Sequence, residues 1–277
     1  MSAKPFAQLL GTAQDGGYPH AGCGCEHCDA ARAEPRLARR VASLGVVGTA
    51  GQCLMVDATP DLAMQIEMLG EASGRGGPSI DAIVLTHAHI GHYLGLALLG
   101  REVLNADRMP VYCTARMADF LKANRPWSHL VSRNEIEITI LAPGAPLAFD
   151  GLEVNAFLVP HRAEDTDTIG VEVVGPTRTL LYVPDTDYLD DSLIERVGAA
   201  DVALIDGTFY SRDELRHRDM LAVKHPCVAE SIPRLAGTKA DVCFTHLNHT
   251  NALLHPTRAP ALPDGFQVAH DGQRFAL

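Results

Sequence analysis

Three histidines lie close together in the turn that follows an apolar, β-branched run, Ile83-Val84-Leu85. The turn reads Thr86-His87-Ala88-His89-Ile90-Gly91-His92, so the three imidazoles fall within six positions. A strand that ends in such a loop places several neutral ring nitrogens at one edge of a sheet, where they bind a metal more readily than they pack into a core. Single histidines are common in surface loops, but three at this spacing favour a metal site. The remaining ligands must then come from other strand ends.

Three more residues of ligand type stand where apolar runs end, and these are His161, Asp185 and His246. The runs that precede them are Phe157-Leu158-Val159-Pro160, Leu181-Tyr182-Val183-Pro184 and Val242-Cys243-Phe244-Thr245. Taken singly, a histidine or aspartate at a strand end is more often a structural residue than a ligand. Because four strand ends carry the same type of chemistry, we interpret them as one site that a mixed sheet gathers around a cation.

Extended and helical patterns alternate along the whole chain. Turn residues at Asp150-Gly151 and Gly175-Pro176-Thr177-Arg178 predict two hairpins, and a further pair of strands is predicted around Asp271-Gly272. Thr59 and Thr114 are predicted to cap the starts of two helices with their hydroxyls. The hairpins make part of the sheet antiparallel, which favours two packed sheets flanked by helices over a doubly wound parallel sheet. We expect a single domain over residues 1–277.

The charge of the chain restricts its partners. With 23 Lys and Arg against 34 Asp and Glu, the formal net charge is -11, which argues against binding a nucleic-acid backbone. A small anionic substrate held by a bound metal is compatible with this charge. No apolar stretch approaches the ~20 residues that span a bilayer, and the first residues lack the core of a signal peptide. We therefore expect a cytoplasmic protein that acts on a small molecule and has no membrane contact. A homodimer is compatible with the sequence.

Three of the seven cysteines crowd into Cys23-Gly24-Cys25-Glu26-His27-Cys28, a zinc knuckle at about residues 20–30. The C-x-C-x-x-C spacing brings three soft sulfurs to one face of a tight turn. In a reducing compartment such a cluster favours metal binding over a disulfide framework. Three thiolates need a fourth ligand, and His27 is the local candidate.

Together these segments resemble the metallo-β-lactamase superfamily, whose strand-end residues occur here in order, beginning with Asp57. Within it the chain looks most like the branch of pyrroloquinoline quinone biosynthesis protein B and the phosphonate-pathway cyclic phosphodiesterase. The segments that carry this closer resemblance are the cysteine cluster, Leu10-Gly11-Thr12, Asp206-Gly207-Thr208-Phe209 and Thr245-His246-Leu247-Asn248-His249-Thr250-Asn251. The resemblance covers nearly the whole chain and implies an α/β (α+β) fold, a four-layer αββα sandwich of two mixed sheets flanked by helices.

The resemblance also implies two sets of metal ligands. In the active site the first ion would be held by His87, His89 and His161, the second by His92 and His246, and both by Asp185, with Asp185 and His246 also taking part in catalysis. The active-site ions would be one or two of Zn²⁺ or another divalent metal such as Mn²⁺ or Fe²⁺. At the knuckle, the resemblance implies one structural Zn²⁺ bound by Cys23, Cys25, Cys28 and His249.

Gly91 departs from the family pattern H-x-H-x-D-H, in which an aspartate binds the second ion. Since glycine supplies no side-chain oxygen, we expect the second ion to be weakly held or lacking, and Gly91→Asp to tighten its binding. The predicted function is a metal-dependent hydrolase whose metal-bound hydroxide attacks a phosphodiester or another small ester. Two alternatives stay open: an iron-dependent oxygenase similar to pyrroloquinoline quinone biosynthesis protein B, and a catalytically silent member that binds a ligand without turnover.

Overall fold

The computed structural model describes residues 4–77, 79–162, 164–215 and 224–277. Its strands are β1 (Phe6–Gly11), β2 (Ser43–Val47), β3 (Cys53–Val56), β4 (Ala82–Val84), β5 (Met109–Cys113), β6 (Ile136–Ile140), β7 (Leu147–Phe149), β8 (Leu152–Leu158), β9 (Ile169–Val174), β10 (Thr179–Val183), β11 (Val202–Asp206), β12 (Asp241–Thr245), β13 (Phe266–Val268) and β14 (Arg274–Ala276). Its α-helices are α1 (Glu26–Ala33), α2 (Leu62–Ser73), α3 (Ile90–Tyr93), α4 (Ala115–Ala123), α5 (Trp127–Ser132), α6 (Asp191–Ala199) and α7 (Val228–Leu235).

The described strands form two mixed sheets of seven strands each. The first has the order β14-β1-β2-β3-β4-β5-β6, and the second has the order β13-β12-β11-β10-β9-β8-β7. The two hairpins predicted from turn residues are confirmed, since β7 pairs with β8 and β9 pairs with β10, both antiparallel. Strands β3 to β6 and β10 to β13 run parallel within their sheets.

The layers are held together by three apolar clusters. Between the sheets, side chains such as Leu44 and Val56 of the first sheet share one buried cluster with Tyr182 of the second. The outer face of the first sheet packs against α2 and α4, whereas the outer face of the second packs against α6 and α7. Burying one large aliphatic side chain contributes roughly 1.5–3 kcal/mol, so the central cluster is a major source of stability. The predicted αββα sandwich is confirmed.

Two local predictions differ from the structure. The strands on either side of Asp271-Gly272 do not pair with each other, because β13 joins β12 in the second sheet and β14 joins β1 in the first. Asp271 anchors this crossing by accepting hydrogen bonds from the Thr12 hydroxyl (2.7 Å) and the Arg40 backbone N–H (2.8 Å). Helix α2 begins at Leu62, and its N-cap is Asp61 instead of Thr59.

The predicted cap of α4 is confirmed, since the Thr114 hydroxyl accepts a hydrogen bond from the Met117 N–H at 3.3 Å. This is the usual way in which a threonine satisfies one of the free N–H groups at a helix start. No helix in the described ranges has both the length and the apolar composition needed to cross a membrane.

Candidate metal centre

The residues predicted at strand ends meet at one edge of the sandwich. Asp185 follows β10 and His246 follows β12, and these strands flank β11 in parallel, so their carboxyl ends lie side by side. The histidine loop follows β4 in the facing sheet. A backbone hydrogen bond from Ile169 N–H to the Thr86 carbonyl (3.1 Å) ties this loop to the second sheet. The chain therefore carries ligand-type side chains from both sheets to a common edge.

His87, His89 and His161 surround one side of Asp185. The Oδ2 atom of Asp185 lies 3.3 Å from His87 Nε2 and 3.7 Å from His89 Nδ1, and its Oδ1 atom lies 3.2 Å from His161 Nε2. One ligand atom from each of the four residues lies within 4.8 Å of the ligand atoms of the other three. Three imidazole nitrogens and one carboxylate oxygen form a donor set suited to a divalent metal.

His92 and His246 lie on the other side of Asp185, with their Nε2 atoms each 3.8 Å from Asp185 Oδ2. A carboxylate that the sequence interpretation did not assign lies beside them. Asp15 Oδ1 is 3.5 Å from His92 Nε2 and 3.8 Å from His246 Nε2. A carboxylate therefore lies beside this second position even though residue 91 is glycine, which the sequence interpretation did not foresee.

Several buried polar atoms of this cluster form no hydrogen bond with any residue that the structure describes. They include Asp15 Oδ1 and the Nε2 atoms of His87, His92 and His246. Leaving a buried donor or acceptor unsatisfied costs about 1–3 kcal/mol per group. These four atoms belong to two adjoining donor groups, His87 to one and Asp15, His92 and His246 to the other, and a cation bound to each group would satisfy them.

The other ring nitrogen of four histidines is fixed by an oxygen atom. These pairs are His87 Nδ1 with Thr86 Oγ1 (3.0 Å), His92 Nδ1 with Asp57 Oδ2 (2.7 Å), His161 Nδ1 with Asp187 Oδ1 (2.9 Å) and His246 Nδ1 with Thr208 Oγ1 (2.9 Å). Such contacts orient a metal-binding imidazole, select its tautomer and raise its basicity. In each ring it is Nε2 that is left to face the centre.

The electrostatics of the centre also favour a cation. Burial raises the pKa of Asp185, but the charge of His246 and the contact with His161 outweigh it and hold this pKa well below its usual range. Burial and the neighbouring His92 lower the pKa of His87 well below its usual value, which leaves this imidazole neutral. Burial likewise lowers the pKa of His92, yet the adjoining Asp57 raises it to about 9. An ionised carboxylate thus stands among imidazoles.

His225 and Asp206 adjoin the same centre, although the sequence interpretation gave neither a role as a ligand or catalyst. His225 Nδ1 is 2.8 Å from Asp206 Oδ2 and 3.4 Å from Asp185 Oδ1. Burial lowers the pKa of His225, but the charge of Asp206 outweighs this and raises it to about 9. The position of Asp206 at the end of β11, between the strands that carry Asp185 and His246, was the sequence signal for this pair.

A second donor group lies at the knuckle. The structure brings Cys23, Cys25, Cys28 and His249 together, with one ligand atom of each within 4.8 Å of the others. The local alternative His27 is directed elsewhere, since its Nδ1 atom lies 3.0 Å from the His249 carbonyl oxygen. Burial raises the pKa of the Cys28 thiol to about 12, so this sulfur becomes a ligand where a cation compensates its charge. The zinc itself stays a prediction.

Comparison with known proteins places this architecture in a family. The family model of the beta-lactamase superfamily domain matches residues 53–252. Coenzyme PQQ synthesis protein B of Ruegeria pomeroyi is 31% identical to the chain, with coverage of 97% of this chain and 99% of the relative. The protein of the same name from Cupriavidus necator is 30% identical, with coverage of 98% and 99%.

Solved structures share the fold. Zn²⁺-bound PqqB from Methylobacterium extorquens has a TM-score of 0.82 at 24% identity and covers 98% of this chain and 100% of its own. A diphosphatase from the PhnP family has a TM-score of 0.74 at 24% identity, with coverage of 100% and 98%. The resemblance drawn from the sequence is thereby confirmed, and the chain belongs to the beta-lactamase superfamily, with coenzyme PQQ synthesis protein B among its relatives.

Proposed function

We propose that the chain is a metal-dependent hydrolase of a phosphodiester or another small anionic ester. The observation that carries this proposal is the convergence of buried, unpaired ring nitrogens on Asp185. A divalent ion at such a site supplies a hydroxide at neutral pH and stabilises a developing oxyanion. The residues that would hold it are His87, His89 and His161 on one side of Asp185 and His92 and His246 on the other.

His225 is well placed to donate a proton to the leaving oxygen. Its ring lies 5.7 Å from that of His161 and 6.1 Å from that of His246, measured between centroids, so it borders both sides of the cluster. Asp206 accepts from Nδ1–H, which fixes the ring and stabilises its charged form. We assign His225 as the proton donor, and His225→Gln should lower kcat about 10²–10⁴-fold while the metal content of the protein stays unchanged.

An anionic substrate is supported by the surroundings of the cluster. The exposed Arg162 lines the same small hollow as His87 and His89. A cavity of about 600 Å³ reaches Asp15, and its wall includes the exposed apolar side chains of Ile90 and Leu94. A cation beside the site and an apolar wall suit an ester that joins a charged group to an apolar one. The PhnP-family protein that shares the fold is a diphosphatase, which supports phosphorus as the reacting centre.

The silent alternative rested on Gly91 and is weakened by Asp15, because a carboxylate does stand beside His92 and His246. The oxygenase alternative rests on similarity to coenzyme PQQ synthesis protein B. Substrate turnover with different metals separates these alternatives from the hydrolase.

The test starts from protein purified under reducing conditions and loaded separately with Zn²⁺, Mn²⁺ and Fe²⁺. We expect hydrolysis of bis-p-nitrophenyl phosphate that depends on the added metal and disappears in His89→Ala. Glu67→Gln, which changes an exposed carboxylate in α2, is the matched control and should keep full activity. Metal-loaded protein that hydrolyses neither phosphodiesters nor p-nitrophenyl esters would contradict the proposal, and oxygen consumption by the Fe²⁺ form would favour the oxygenase.

A further inference from the structure

The space beside Gly91 is filled by another part of the chain. A Cβ atom built on Gly91 would lie 2.3 Å from Asp15 Oδ1, 2.8 Å from Asp15 Cγ and 2.8 Å from Asp15 Cα. Because the Cα atom is part of the backbone, rotation of the Asp15 side chain does not remove the overlap. Gly91 lies in α3 and has no positive φ, so its backbone conformation does not require glycine. What requires glycine is the close approach of Asp15.

Backbone hydrogen bonds hold Asp15 at this place. Ala13 forms a parallel β-bridge with Leu247, the residue that follows His246. The Gln14 N–H donates to the Leu247 carbonyl at 3.0 Å, immediately before Asp15. The turn after β1 is therefore fixed to the loop that carries His246, and Asp15 has little freedom to move away from the cluster.

The side chain of Asp15 behaves as a member of the donor group. Its Oδ1 atom is buried, forms no hydrogen bond with the described residues, and faces the Nε2 atoms of His92 and His246 at 3.5 and 3.8 Å. One ligand atom from each of the three residues fits within 4.8 Å of the others. An unpaired buried carboxylate oxygen directed at two unpaired imidazole nitrogens is the arrangement expected around a cation.

We propose that Asp15 is the carboxylate ligand of the second metal ion, in the role that the aspartate of H-x-H-x-D-H has in the family pattern. The ligand has moved from the histidine loop to the turn after β1, and the glycine at position 91 leaves the room that it occupies. With His92, His246 and Asp15, the second position has three protein ligands of its own besides the shared Asp185, which is the number typical of catalytic zinc. This assignment rests on the proposed function, since it concerns the same metal centre.

Substitutions at both positions test whether Asp15 is the ligand. Asp15→Asn removes the charge and keeps the shape, and should weaken binding of the last Zn²⁺ equivalent at least about tenfold. Gly91→Asp should weaken it as well, contrary to the tighter binding expected from the sequence, because the new side chain overlaps Asp15 instead of adding a ligand. Gly91→Ala, which adds a Cβ atom but no carboxylate, should weaken it by a similar factor, because the same overlap pushes Asp15 away from His92 and His246.

The measurement is a calorimetric titration with Zn²⁺ of protein from which a mild chelator has removed the weakly bound metal, with circular dichroism as a check of folding. Asp165→Asn is the matched control, because Asp165 is an exposed carboxylate in the hollow beside His87 and His89 and belongs to none of the donor groups. If loss of charge alone weakened binding, this control would show the same effect as Asp15→Asn. We expect Asp165→Asn to bind the last Zn²⁺ equivalent with wild-type affinity.

Three results would overturn the assignment, and they differ in what else they affect. Wild-type affinity for the last Zn²⁺ equivalent in Asp15→Asn overturns the role of Asp15 alone, and so does wild-type affinity in Gly91→Ala. Wild-type protein that binds no Zn²⁺ beyond the thiolate group overturns both this assignment and the proposed function.

Discussion

The thiolate group and the histidine group are built in opposite ways. Three of the four members of the thiolate group lie within six positions, and two of its sulfurs, those of Cys23 and Cys25, remain partly exposed. The histidine group is drawn from several loops of both sheets, and most of its members, such as His92 and Asp185, are buried. The first group needs one local turn, whereas the second needs the complete sandwich.

This difference separates the expected roles. A site made by one turn, and closed by His249 from the loop after β12, fixes two loops to each other, which suits a structural ion. A buried site at the common edge of two sheets, with a cavity reaching it, suits an ion that meets a substrate. The comparison predicts that the two groups bind metal independently, although His246 and His249 are three residues apart.

The largest expected effect is on the thiolate group. Cys25→Ser should release its zinc, because binding free energy at a structural zinc site is also folding free energy, on the scale of ~10–16 kcal/mol in isolated zinc-binding peptides. The melting temperature should fall by at least about 5 °C, since each kcal/mol shifts it by ~2–4 °C in chains of 150–250 residues. Metal analysis and calorimetry measure both effects.

The matched control for that variant is Cys227→Ser. Cys227 lies at the N-cap of α7, outside the thiolate group, and serine is favoured at such a position. It should keep all bound metal. Unchanged metal content and melting temperature in Cys25→Ser would refute the assignment of a structural zinc.

The reciprocal change acts on the histidine group. His89→Ala removes a partly exposed ligand of the first position and should lower metal-dependent turnover at least about a hundredfold, the scale of losing one stabiliser of a developing oxyanion. The zinc of the thiolate group should stay bound, which metal analysis of the variant checks. Loss of both kinds of ion together would show that the two groups are not independent.

A smaller effect is expected from the residue that orients His92. Asp57 accepts a hydrogen bond at 2.7 Å from His92 Nδ1–H, and Asp57→Asn should weaken binding of the second ion about 10–100-fold. Asp57 has a φ of 70°, a conformation that asparagine also tolerates, so the fold should persist. Zn²⁺ titration measures the loss. Equal affinity in the variant and the wild type would show that Asp57 is not needed to orient the ring.

The smallest effect lies outside both groups. Thr114→Ala removes the N-cap of α4 and should cost about 1 kcal/mol of unfolding free energy while leaving metal content unchanged. Denaturant unfolding measures this cost. A loss of metal in this variant would mean that global stability, and not ligation, controls metal content. The other variants would then not show that the two groups bind metal independently.

The sequence predicts features that are local, and features that recur at several strand ends. It does not predict which distant residues tertiary contacts bring together. Runs of β-branched residues predict most strands, and the six positions from Cys23 to Cys28 predict a thiolate cluster without any knowledge of the fold. The crossing at Asp271 was mispredicted because a turn of that composition does not reveal whether its strands share a sheet. Hydrophobic periodicity carries no information on such long-range pairing.

Asp15 shows the same limit at the site. In the sequence it is one aspartate in a glycine-rich turn, a composition typical of a solvated loop. Its place beside His246 follows from the bridge between Ala13 and Leu247, which joins residues more than two hundred positions apart. The sequence shows that position 91 is glycine, but it does not show that Asp15 occupies the space beside it.

The most direct test of the account is a count of metal ions by native mass spectrometry on the wild type, Cys25→Ser and His89→Ala, all purified under reducing, chelator-free conditions and then supplied with Zn²⁺. We expect one tightly held ion that is lost in Cys25→Ser, and further ions at the histidine group that persist in that variant. In His89→Ala the tightly held ion should remain while occupancy of the histidine group falls. Identical metal content in all three proteins, or loss of every ion in either variant, would contradict the existence of two separate metal sites in this chain.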